Sequence, residues 1–268
     1  WNNWKAVMIR TLYYKTINIL KENYETTSRP EQIQKAKSAL KDELKQWTKE
    51  QIDTEINRHY AGFYLGLTTQ TQAIFSNLSK NIDTLSINSK VETDLARDAT
   101  KICFLIEDHP GIFSRLTGAI ALSGANVIDA RTYTTSDGFA TSVFWLQNKE
   151  GKPFEENRLN KLNQTINEAL KGQIIARDIL KEKGKIKKKE KDFIVPTNIT
   201  FDNEGSEIHT IIEIETRDRL GLLYDLAKTL SNNYISISSA IIATFGEQAV
   251  DTFYVKDLFG LKLHSLNK

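Results

Sequence analysis

From Glu31 the apolar positions Ile33, Ala36, Leu40, Leu44 and Trp47 recur at three- and four-residue steps, and the pattern runs on through Ile52 to Ile56. That is the period of an amphipathic helix. Ser28-Arg29-Pro30-Glu31 supplies its start, with Ser28 as the cap and an acid in the first turn. Trp4, Met8, Leu12 and Ile19 predict an earlier helix. Residues 1–96 therefore read as a helical segment with its aromatic residues in the core.

The pattern changes at Lys101. Ile102, Phe104 and Ile106 alternate with Cys103 and Leu105 as a strand, broken by Glu107-Asp108-His109-Pro110-Gly111. Ile112, Phe113, Leu116, Ala119 and Ile120 have helical spacing up to Ser123-Gly124. Residues 126–135 and 139–147 read as strands joined by Ser136-Asp137-Gly138, a hairpin signal, and Leu159, Leu162, Ile166 and Leu170 mark a further helix. The same order returns 110 positions later: Asp108 matches Asp218, Gly111 matches Gly221, Leu116 matches Leu226, Ala130 matches Ala240 and Thr134 matches Thr244. This is an internal duplication. The division is a helical segment over 1–96, a first repeat over 97–180, a linker over 181–192 and a second repeat over 193–268. Whether the strand at 193–202 completes the first repeat or joins the second is left open by the pattern.

Composition narrows the class. The 268 residues are 40% hydrophobic and 26% charged, as in globular proteins. Apolar runs such as Ile102–Ile106 are far below the roughly 20 residues a bilayer span requires, so no membrane association is expected. The single cysteine, Cys103, excludes an internal disulfide framework and a cysteine zinc cage, and a cytoplasmic location is the default. The net charge is +2, and Lys181–Asp192 holds seven lysines against three acids, so outside this run the chain is mildly acidic. The run has no arginines or aromatics and reads as a solvated linker, with no nucleic-acid partner expected. Trp1 opens the chain and Met8 is the one methionine, which predicts a fragment with its start upstream.

Each repeat places an Asp-x-x-Gly turn between its first strand and first helix, Asp108–Gly111 and Asp218–Gly221. Glycine permits close backbone approach, a helix N-terminus favours a carboxylate, and aspartate accepts from an ammonium group. Together these suit an α-amino acid. Spacing alone favours the plainer reading, a helix cap with a tight turn.

Two β-α-β-β-α-β units with these turns resemble ACT domains, small amino-acid-sensing modules of ferredoxin-like fold. Asp108-His109-Pro110-Gly111-Ile112-Phe113-Ser114 and Gly124-Ala125-Asn126-Val127-Ile128-Asp129-Ala130-Arg131 resemble the first ACT domain of the GlnD family, the bifunctional PII uridylyltransferases and uridylyl-removing enzymes. Thr216-Arg217-Asp218-Arg219 and Asp251-Thr252-Phe253-Tyr254-Val255 resemble its second. Trp1-Asn2-Asn3-Trp4-Lys5 resembles the end of that family's HD phosphohydrolase domain, and Arg58-His59-Tyr60 the helical stretch before the ACT repeats. Leu220 departs from the family's proline, and the chain stops at Lys268, before the second repeat's closing helix. The fold implied is α+β, a helical segment followed by two ACT domains, the second incomplete.

The resemblance implies a regulatory portion that binds glutamine, acts with a PII signalling protein through a parent enzyme, and pairs ACT with ACT within or between chains. The ligand residues implied are Asp108, His109, Gly111 and Asn126 in the first repeat, and Asp218, Arg219 and Gly221 in the second. The parent would use Mg²⁺ held by paired aspartates. This chain contains no Asp-x-Asp, and none of its four histidines, His59, His109, His209 and His264, is followed by Asp. No catalytic residue, resident metal or cofactor is therefore expected here. A stand-alone tandem ACT sensor is the competing reading.

Overall fold

A computed structural model describes residues 28–80, 82, 87–172, 195–245 and 248–263, with isolated residues 9, 13, 16 and 17. Four helices come first among them. The first, α1 (Arg29–Glu43), opens on a reciprocal capping box: Glu31 N–H donates to the Ser28 hydroxyl (3.4 Å) and Ser28 N–H to the Glu31 carboxylate (2.8 Å). The single helix expected from Glu31 to Ile56 is broken. Thr48 and Gln51 form a second capping box, which starts α2 (Lys49–Arg58) afresh after a turn at 44–48. Short helices α3 (Ala61–Gly66) and α4 (Thr69–Ser79) follow. The earlier helix expected at Trp4, Met8, Leu12 and Ile19 lies outside the described residues, as do the lysine run at 181–192 and the end of the chain after Leu263.

The first repeat consists of β1 (Asn88–Asp94), β2 (Ala99–Glu107), α5 (Ile112–Leu122), β3 (Asn126–Thr134), β4 (Phe139–Gln147) and α6 (Glu156–Leu170). The second contains β5 (Asn198–Asp202), β6 (Thr210–Arg217), α7 (Leu222–Asn232), β7 (Ser236–Phe245) and β8 (Gln248–Lys256). The eight strands form one antiparallel sheet in the order β1-β2-β4-β3-β7-β8-β6-β5. The expected β-α-β-β-α-β order is shifted. The strand beside β2 precedes it as β1, inside the segment assigned to helix, and β5 likewise precedes β6 and joins the second repeat. A hairpin closed by the four residues Leu95–Asp98 costs less loop entropy than a return from beyond α6. β1 gave little apolar signal because it is an edge strand carrying one large aliphatic residue, Val91.

The two repeats differ in what covers them. In the first, Ile102 and Phe104 pack beneath α5 and α6, while Ala99, Cys103, Val143 and Trp145 on the other face pack against Leu40, Leu44, Phe63 and Phe75 of the helical segment. Burial of both faces explains the unbroken apolar run of β2. It also pushes the Cys103 thiol up to about 12, so this side chain packs as a small hydrophobe. In β6 only one face is buried, through Thr210, Ile212 and Ile214, and Glu213 and Glu215 alternate to the other. Arg58 anchors the helical segment to the β3–β4 hairpin. Its guanidinium meets Asp137 at 2.7 and 3.2 Å, and its carbonyl accepts from Ser136 N–H at 2.9 Å. No described helix is long and apolar enough to cross a membrane.

Candidate functional site

β2 ends where its backbone joins the neighbouring hairpin: Asp108 N–H donates to the Gly138 carbonyl at 2.9 Å. The Thr134 hydroxyl donates to the Asp108 carboxylate at 2.6 Å. The chain then turns through Gly111, whose φ of +86° is a left-handed conformation that favours glycine. Gly111 is the N-cap of α5 and Gly221, at φ +79°, is the N-cap of α7, and neither helix has a side-chain cap. Asp108 and Asp218 are therefore not capping residues, contrary to the plainer reading of the turns. Arg115 donates to Nε2 of His109 at 3.0 Å and Nδ1 lies 3.1 Å from the Pro110 carbonyl, an arrangement the Nδ1-protonated ring satisfies. Arg219 is held by Asp225 at 2.5 Å.

The turns open into two grooves, each made from both repeats. The larger, about 820 Å³, is lined by Asp108, His109, Gly111, Thr132 and Thr134 of the first repeat and by Ile235–Ser239 at the start of β7. Tyr60, Gly62 and Phe63 of the helical segment also line it. A Cβ added at Gly111 would sit 3.1 Å from the Ser231 hydroxyl of α7, so the first turn lies directly against the second repeat. The smaller groove, about 510 Å³, is lined by Asp218, Arg219 and Gly221 of the second repeat and by Asn126–Ile128 at the start of β3.

Asn126 thus stands with Asp218 and Gly221, not with Asp108, His109 and Gly111 as the sequence reading placed it. The helix between them explains the correction. α5 carries the chain from the end of β2, at Asp108, back to the opposite end of the strands, so β3 begins there and only its own end, at Thr134, returns to Asp108. The second repeat runs antiparallel across the junction and brings its own turn to Asn126. Two contributors were missed. One is the Ser236–Ser239 stretch, which has no motif. The other is Asp251, which lines the smaller groove and whose inward position was legible in the alternation of Ala249, Asp251, Phe253 and Val255.

Residues 198–262 match the family described as ACR9-like, ACT-like domain, and the match starts at the first residue of β5. The bifunctional uridylyltransferase/uridylyl-removing enzyme of Cereibacter sphaeroides is 51% identical over the whole of this chain, which spans 29% of that relative. The enzyme of the same name from Ruegeria pomeroyi is 51% identical over 99% of the chain and 30% of the relative. That from Azospirillum brasilense is 38% identical over 100% and 29%. The chain contains an ACT-like domain and is homologous along its length to a segment, under a third, of the bifunctional uridylyltransferase/uridylyl-removing enzymes.

Proposed function

We propose that this chain is the regulatory, glutamine-sensing portion of a bifunctional cytoplasmic enzyme that transfers UMP from UTP to a tyrosine of the PII nitrogen-regulatory protein and hydrolyses it off again. The catalytic centres would lie elsewhere in the parent protein. Among the described residues no three His, Cys, Asp or Glu side chains stand close enough to hold a metal ion. The chain's own part is to bind and to couple.

The observation that carries this reading is the shared lining of the grooves. A ligand between the first turn and the start of β7 touches both repeats and, through Tyr60 and Gly62, the helical segment. Only differential affinity for two arrangements moves an equilibrium, and a ligand that contacts both repeats and the helical segment would gain or lose contacts if these moved apart. The carboxylate of glutamine would take the N–H groups opening at Gly111 or Gly221, and its ammonium group the turn aspartates. The test is the intact enzyme assayed for PII uridylylation and deuridylylation across a glutamine titration. Glutamine should favour removal over transfer, and a Gly111→Val/Gly221→Val enzyme should keep both activities but lose the response. An unaltered response would refute the assignment.

A further inference from the structure

The smaller groove contains a group that the larger one lacks. Phe144 and Phe253 are equivalent, because each lies opposite the matching alanine of its repeat, Ala130 or Ala240. Two residues earlier on the same strands stand Ser142 and Asp251. Ser142 faces Thr132 and the two hydroxyls bond at 2.8 Å, which closes that buried polar pair. In the second repeat the threonine position is Ile242, opposite Asp251, and no such pair forms. Asp251 is only 1% exposed and its Oδ1 has no hydrogen-bond partner.

A buried carboxylate with an unpaired oxygen is costly, and the serine of the first repeat shows that the fold does not require one there. We infer that Asp251 joins Asp218 in a two-carboxylate ammonium-binding subsite in the smaller groove, which takes the primary amine of an α-amino acid, and that this second, buried carboxylate has no counterpart in the larger groove. The inference rests on the amino-acid binding proposed above.

The surroundings leave this carboxylate waiting for a cation. Arg219 is engaged by Asp225, and Glu213 and Glu215 on β6 point to the opposite face of the sheet. From β6 and β7 the opposing residues are Ile214 and Ile242. Tyr224 on α7 and Lys149 beyond β4 are the other titratable side chains of the lining. Burial, reinforced by the charge of Asp218, pushes Asp251 up to about 7, and burial also raises Asp218. Binding then exchanges one cation for another: the carboxylic acid of Asp251 gives its proton to solvent as the ligand's ammonium group takes its place.

The experiment is calorimetric titration of the full chain with glutamine at pH 6, 7 and 8, in buffers of different ionisation heat. It is done on the wild type and on the Asp251→Asn and Asp251→Ser variants, the latter carrying the first repeat's residue. Affinity at one site should rise about tenfold from pH 6 to pH 8, following the ionised fraction of a group near 7, with proton release near pH 7. Both variants should lose that pH dependence and proton release, and bind at that site about ten- to a hundredfold more weakly, with thermal midpoints no lower than wild type. Wild-type affinity and proton release retained in either folded variant overturn the subsite but leave amino-acid binding standing. A wild-type chain that binds no glutamine at any of these pH values overturns both.

Discussion

Ala130 and Ala240 lie directly opposite each other where β3 meets β7, and both are fully buried. They are also counterparts in the duplication, so each residue faces its own copy. Such a pair marks a pseudo-two-fold axis. The irregularities on either side obey it as well, with register shifts between Val127 and Asp129 and between Ile237 and Ser239. What the Asp108 turn makes with β7, the Asp218 turn therefore makes again with β3.

Enlarging the alanine at this axis should damage both grooves together. The space beneath α5 and α7 at Ala130 is filled by packed neighbours including Phe144 and Phe253. Overpacking a closed core costs about 1–3 kcal/mol. Ala130→Leu should lower the denaturation midpoint accordingly and weaken amino-acid binding at both sites, as read by denaturant titration and calorimetry on one preparation.

Gly111→Val should act on one groove only. Its φ of +86° strains any branched side chain, at about 1–3 kcal/mol, and the new Cβ would meet Ser231 at 3.1 Å. Calorimetry should show one site lost or weakened with the second intact, whereas Lys161→Ala on the exposed face of α6 should change neither.

Acid should loosen the helical segment first. Burial alone would raise the Glu55 carboxyl, but hydrogen bonding and charge from His59, then Arg58 and Ser79, hold it below its ordinary 4.5. His59 Nε2, Arg58 and Ser79 lie 3.0, 3.2 and 2.9 Å from its oxygens. A depressed carboxyl contributes stability that is present above the ordinary value and lost as pH falls through the folded one. Glu55→Gln should therefore flatten the decline in stability below about pH 4.5. Glu55→Ala, which strips the buried Arg58 and His59 of a partner, should cost about 3 kcal/mol at neutral pH. Denaturant melts between pH 3 and pH 7 measure both.

Much of this architecture could be read from residue spacing, and the misses have physical causes. Ile112 to Ile120 announced α5, the Asp137-Gly138 pair announced the hairpin, and the matched glycines announced two equivalent turns. The break between α1 and α2 was hidden because Leu44, Trp47, Ile52 and Ile56 keep a helical period through it while packing into one core. β1 was hidden because an edge strand needs few apolar residues. Asn126 was assigned to the wrong turn because spacing along the chain says nothing of the antiparallel junction that carries it to Asp218. The contrast between the apolar run of β2 and the alternation in β6 does follow from the sequence, once the helical segment is known to cover one repeat and not the other.

The most direct test of the shared grooves is to map backbone amide shifts of the labelled chain as glutamine is added. Perturbations should appear in pairs across the junction, Gly111 with Ile237–Ser239 and Gly221 with Asn126–Ile128. Shifts that join Asp108 to Asn126 within one repeat, leaving the start of β7 unmoved, would contradict a site built from both.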